Sequence, residues 1–217
     1  MMTETDYELV IGDKRLSSWS LRPWVLMKVF GIPFRETLIR LRRPETVEDI
    51  ARHSPSGKIP LLKAGGLRVW DSLAIAEFLA DEHQDKAIWP KDRERRAVAR
   101  SVSAEMHSGF SALRNAMPMD LANVYASWPA EDDVRADIRR IAAIWAECRA
   151  RYGADGDFLF GAFSAADAMF APVATRFRTY SVDLGDYGDD GEAARYRDTL
   201  LGLPAMEEWE AGAAQEG

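Results

Sequence analysis

Thiol and imidazole groups are scarce in this chain: its 217 residues include one cysteine, Cys148, and three histidines. A lone cysteine excludes an intramolecular disulfide. Without a Cys-x-x-Cys pair or a Cys/His grouping, neither a dithiol redox centre nor a metal site of the usual spacing is expected. No run of 18 apolar residues occurs, so no spanning helix is expected, and the first eight residues carry acids where a secretory leader would be apolar. The expected location is a reducing cytoplasm. Positive charge is also in deficit, 28 Lys and Arg against 35 Asp and Glu, a net charge of −7. A nucleic-acid backbone or an anionic membrane is repelled on average, so neither is an expected partner, and any bound anion must find a local positive site.

What is present is apolar material, 47% of the chain beside 29% charged residues, which builds a core and excludes a disordered polymer. This length suits two modest units. In the first, Tyr7, Leu9 and Ile11 alternate before Gly12 as a largely buried strand. A Ser-rich turn leads into an apolar helix over residues 21–30, with Pro23 in its first turn and Gly31 past its end. Alternation resumes over 34–41, completing a βαβ unit with its parallel pair and right-handed crossover. A short polar helix over 46–52 follows, and the runs 59–63 and 67–70, split by Ala64, Gly65 and Gly66, read as a hairpin. Asp71 or Ser72 then caps a helix running to His83.

Beyond a polar stretch over 84–91 the strand signal ends. Helical runs over 93–116, 131–152 and 164–180, with a short one over 204–214, predict an all-α bundle, and the acidic, Gly-rich segment 183–192 reads as an exposed loop. The fold class is α+β: a βαβαββα sheet domain over 1–84, then a helical domain over 92–217.

Three segments carry candidate chemistry. Pro60 opens a strand, where proline sits at an edge, at the first position or after a cis bond; a cis Ile59–Pro60 bond turns the N–H and C=O of Ile59 outward, free to pair with an extended ligand. Asp71 and Ser72, at a helix start, either form an ordinary N-cap or complement an α-amino-acid end, Asp71 taking the ammonium and Ser72 the carboxylate. In Ser17-Ser18-Trp19-Ser20-Leu21-Arg22 the serines cap a helix, or one donates to a thiolate beside the positive helix end. Lowering a thiol from its reference pKa of about 8.5 by roughly two units takes about 2.7 kcal/mol.

In this order, on a βαβαββα unit followed by a helical half, these residues resemble the cytosolic glutathione transferase family over essentially the whole chain. The resemblance implies a thioredoxin-like N-terminal domain that holds glutathione and a helical domain that covers a second substrate. It also implies a cis bond before Pro60, with Ile59 pairing to the cysteinyl part and Asp71 and Ser72 holding the γ-glutamyl end. Lys58, where the family usually has glutamine, meets the glycyl carboxylate or is a solvated surface lysine. The serine turn is most similar to the zeta class motif Ser-Ser-Cys-Ser-x-Arg, which makes Ser17 the activating hydroxyl, with Ser18 and Ser20 as alternatives facing the sulfur. Trp19 replaces the motif's cysteine and narrows the space beside it. Ser164-Ala165-Ala166-Asp167 resembles the family's capping box, a folding device.

For the second substrate, His107, Ser111 and Arg114 fall on one helical stripe, and Arg176, Arg178 and Tyr180 form a cationic and aromatic stretch; one of these arginines would clamp an acidic substrate. Trp19 and Trp24 are expected to flank the site, and Trp70, Trp89, Trp128, Trp145 and Trp209 to pack. The implied function is a homodimeric, detoxifying transferase joining the glutathione thiolate to a small electrophile. The alternatives are a glutathione-dependent cis-trans isomerase of a maleyl-type diacid and a non-catalytic binding module. A serine at position 17 argues against thiol-disulfide chemistry, since no protein thiolate stands there.

Overall fold

The computed structural model describes residues 7–126 and 128–216. Strand β1 (Tyr7–Gly12) lies inside a four-stranded sheet of order β2-β1-β3-β4, parallel to β2 (Arg35–Ile39) and antiparallel to β3 (Leu61–Ala64), which pairs antiparallel with β4 (Leu67–Trp70). The period of two assigns its faces: Leu9 and Ile11 enter the large core, and Val10 joins Ile39, Ile50 and Leu61 in a small second one.

Helix α1 (Ser18–Val29) makes the crossover and ends in a Schellman motif, with Gly31 at φ 61°, its N–H on the Lys28 carbonyl, and the Ile32 N–H on that of Met27. It begins three residues earlier than its apolar run predicts, because Ser17 caps it through the Ser20 N–H and the serine turn is itself the first turn. Pro23 therefore falls in the second turn. Helices α2 (Thr46–His53) and α3 (Ser72–Glu82) complete the βαβαββα order.

The second half holds α4 (Arg93–Ser108), α5 (Ser111–Ala116), α6 (Asp132–Tyr152), α7 (Ala165–Thr179), α8 (Glu192–Leu201) and α9 (Pro204–Ala214). The run expected over 93–116, broken only by Gly109, is two helices, because Gly109 is extended and Phe110 is left-handed at φ 59°, which turns the chain. The segment expected as an exposed loop over 183–192 buries Leu184 in a short 3-10 turn and then starts α8. Helix α7 is buried along almost its whole length. Its capping box forms as expected, with fully buried Asp167 accepting from the N–H groups of Leu159 and Ser164 and the hydroxyls of Ser164 and Tyr196. One continuous core joins the halves, since α7 packs on both α1 and α4. No described helix is long and apolar enough to cross a membrane.

Candidate functional site

The 54–60 loop and the N-termini of α1 and α3 open, with the last turn of α4, onto a cleft of about 740 Å³. Its walls include Trp19, Lys58, Ile59, Pro60, Trp70, Asp71, Ser72 and His107. The Ile59–Pro60 bond is cis. Neither the N–H nor the C=O of Ile59 has a hydrogen-bond partner among the described residues, although both neighbouring strands are paired. Gly12 makes room for this loop: a Cβ there would lie 2.9 Å from both Ile59 Cδ1 and Leu41 Cδ1. Its N–H donates to Ser20 Oγ at 3.1 Å, tying the end of β1 to the first turn of α1.

Across the cleft, Asp71 is the N-cap of α3, at φ 77°. Its Oδ1 accepts from the N–H groups of Leu73 at 2.9 Å and Ala74 at 3.3 Å, while Oδ2 lies 3.1 Å from His107 Nε2. Buried Ser72 presents an N–H with no partner among the described residues, and its Oγ is 3.5 Å from Arg22 Nη1. The cleft thus offers an unpaired backbone edge, a carboxylate, a helix N-terminus and the exposed cation of Lys58, the polar complement of a short peptide with an α-amino-acid end.

The serine turn lies deeper. Ser17 is buried and its hydroxyl donates to Ser20 Oγ at 2.7 Å. Ser18 Oγ accepts from Arg176 Nη2 at 3.1 Å, and its own hydrogen has no acceptor among the described residues. The residue of this turn that faces the cleft is Trp19, whose ring meets the guanidinium carbons of Arg22 at 4.3 Å and Arg114 at 4.8 Å, and His107 edge-on at 5.2 Å. Arg22 is 1% exposed, and its Nε and Nη2 have no partners among the described residues. Burial, with Arg114 and Arg176 nearby, holds its guanidinium well below the usual arginine range, against the pull of Asp71. Burial and Arg114 bring Arg176 down to about 9. Three cations thus converge behind the cleft wall with little counter-charge.

The stripe expected from His107, Ser111 and Arg114 does not exist, because the break at Gly109 and Phe110 separates them. His107 lines the cleft, Ser111 is exposed, and Arg114 folds back to donate to the carbonyls of Met106, His107 and Gly109, closing the end of α4. Arg176 is the inward arginine, with its Nε on the Met117 carbonyl at 2.8 Å; Arg178 turns away to Glu210 at 2.6 Å. Tyr180 lies outside the cleft, its hydroxyl on the Pro118 carbonyl and its ring between Tyr125 and Trp128. Two tryptophan expectations reverse. Trp24 is buried against Trp209, whereas Trp70, the last residue of edge strand β4, is 46% exposed and lines the cleft. Its position directly before Asp71 on an edge strand was the available signal. Ser56 and Gly57 also line the cleft, and their proximity to Pro60 in the chain pointed to them. No metal-binding group of His, Cys, Asp or Glu occurs among the described residues.

A cis-proline loop facing a capped helix on a four-stranded sheet, with a helical domain closing the far wall, defines a thioredoxin-like ligand-binding protein with an appended all-α domain. Residues 16–82 match the family model for the glutathione S-transferase N-terminal domain, and residues 124–212 match that for the C-terminal domain. The chain belongs to the glutathione S-transferase family. A probable maleylacetoacetate isomerase of Caenorhabditis elegans is 24% identical over 194 residues, covering 88% of this chain and 87% of that protein. The maleylacetoacetate isomerase of Rattus norvegicus is 26% identical over 175 residues, 79% of each chain. Among solved structures, a Burkholderia glutathione transferase homologue with bound glutathione superposes with a TM-score of 0.72 at 20% identity, covering 96% of this chain and 98% of its own.

Proposed function

We propose that this protein binds glutathione in the cleft and uses its thiolate to attack a small electrophile. The observation that carries the reading is the unpaired backbone of Ile59, at the cis bond, facing Asp71 and Ser72 across one cleft. Ile59 pairs with the cysteinyl backbone, as an added strand would. Asp71 Oδ2 takes the γ-glutamyl ammonium, Ser72 and the start of α3 take its carboxylate, and Lys58 takes the glycyl carboxylate. The sulfur then lies toward the N-terminus of α1, where Ser17, exchanging its bond to Ser20 for the sulfur, stabilises the thiolate together with the positive helix end. The thiol proton leaves to solvent, the S–C bond forms as the leaving group departs, and positioning and thiolate stabilisation supply the rate.

The test is glutathione affinity and turnover with an aromatic halide, for wild type and for Ser17→Ala and Ser18→Ala. If the hydroxyl and the helix end together lower the thiol pKa by about two units, the thiolate fraction rises by at most about a hundredfold below that pKa, so Ser17→Ala, which leaves the helix end in place, should lose turnover by up to about that factor at near-constant affinity. A wild type that neither binds glutathione nor loses activity on Ser17→Ala sinks the assignment; a selective loss in Ser18→Ala moves the role to Ser18. A thiol pKa unshifted in the bound state, by ultraviolet titration, identifies a binding module instead.

One observation favours a second reading, glutathione-dependent cis-trans isomerisation of a maleyl-type diacid. Arg176 is buried beside Ser18 behind the cleft wall, its Nη1 has no partner among the described residues and can meet a carboxylate that reaches past the serine turn, and relatives of the chain are named as maleylacetoacetate isomerases. There the thiolate adds to the double bond, the new single bond rotates, and the thiolate is expelled. Arg176→Ala should raise KM for a diacid far more than for a neutral electrophile, with Arg178→Ala as the outward-facing comparison; equal effects on both substrates refute it. The proposed setting is a cytoplasmic, detoxifying homodimer, and sedimentation at micromolar concentration tests the assembly.

A further inference from the structure

Asp71 and His107 come from different domains and meet at the wall of the cleft. Asp71 Oδ1 is committed to capping α3, so Oδ2 is the oxygen left for a ligand, and His107 Nε2 lies 3.1 Å from it. The imidazole packs edge-on against Trp19, and its Nδ1 is buried with no partner among the described residues. The neutral ring suits this setting: Nε2–H donates to the carboxylate while Nδ1 keeps a lone pair. The protonated ring would bury a second N–H with no acceptor. It would also face Arg22 from α1 and Arg114 from α5, with Asp71 before α3 as the opposing charge and Lys58 on the same cleft wall. Burial pushes the imidazole below its usual range, Asp71 pulls the other way, and the two arginines push it lower.

We infer that His107 is a positioning residue that makes the ammonium subsite proton-sensitive. Neutral, it orients Asp71 Oδ2 and leaves a lone pair of that oxygen for the incoming ammonium; protonated, it is a cation competing for the same carboxylate. This rests on the glutathione reading above. The helical domain thereby contributes to holding the cosubstrate as well as to covering the second one.

The test is the dissociation constant of glutathione, by calorimetry between about pH 7.5 and 5.5, for wild type and His107→Gln, which keeps a donor but cannot protonate. The ammonium and carboxylates of glutathione hold their charges across this range. Wild-type affinity should be flat at the upper end and fall as His107 protonates, by at most about tenfold per pH unit for one proton, while His107→Gln shows no such fall. A second readout is the ring-proton resonance of His107, one of three histidines, which should titrate at lower pH with glutathione bound than without. Tight wild-type binding that stays flat, the same fall in His107→Gln, or an unmoved His107 titration overturns the inference alone. Glutathione that binds at no pH overturns the functional reading and this inference with it.

Discussion

Replacing Asp71 by asparagine and, separately, by alanine distinguishes the two tasks of its carboxylate. Oδ1 caps α3 through the Leu73 and Ala74 N–H groups, and Oδ2 is the proposed partner of the γ-glutamyl ammonium. Asparagine caps a helix as well as aspartate does, so Asp71→Asn should keep the cap to within about 0.5 kcal/mol, and what buried Arg22 loses with the charge is common to the asparagine and alanine forms. The φ of 77° is adverse for any side chain bearing a Cβ, so that strain is common to all three forms and cancels. What asparagine removes is the charge. A hydrogen bond to a charged group contributes about 1.5–3 kcal/mol, so glutathione should bind roughly 10- to 150-fold more weakly. Alanine loses the cap as well, about 1 kcal/mol, which for a chain of this size lowers the melting temperature by about 2–4 °C. Calorimetric titration with glutathione and thermal melts on the three proteins read both effects. If Asp71→Asn binds glutathione as tightly as wild type, the charge is not used. If it melts as low as Asp71→Ala while losing affinity in parallel, the loss is structural and the assignment of the ammonium fails.

Two further outcomes test the scaffold. Asp167→Ala strands the N–H groups of Leu159 and Ser164 and the Tyr196 hydroxyl in the core at about 1–3 kcal/mol each, so urea unfolding should report a loss of about 4 kcal/mol from a total of about 5–15. A loss below about 1 kcal/mol would mean the capping box is not what holds α7. Cys148 is buried and its thiol is pushed up to about 12 by burial, so a thiol reagent at neutral pH should label the native protein only after denaturant is added. Rapid labelling of the native state would refute the packing of α6.

The sheet domain was legible because its signals are local. Alternation marks β1, glycines mark the hairpin, and a proline before an apolar run marks the 59–60 edge, each set by residues within a few positions of one another. Helix α8 carried a readable period as well, burying Ala193, Tyr196 and Leu200, but the acidic, Gly-rich stretch before it masked the start. Gly109 marked the break between α4 and α5, but the left-handed turn itself falls on Phe110, a residue type that does not signal one.

By itself, the sequence determined the order of elements in the sheet domain, a cap at Asp71 or Ser72, the capping box at Ser164 and, through its resemblance, the family with its cis-proline loop, because these depend on backbone geometry and on side chains a few residues apart. The tertiary structure alone decided what faces the cleft. Arg176 faced inward to Ser18 and Met117 while Arg178 met Glu210, and Trp70 came to the rim. His107 reached Asp71 from another domain. Each of those outcomes depends on which charged and aromatic groups a distant helix brings within a few ångströms, and no spacing along the chain encodes that distance.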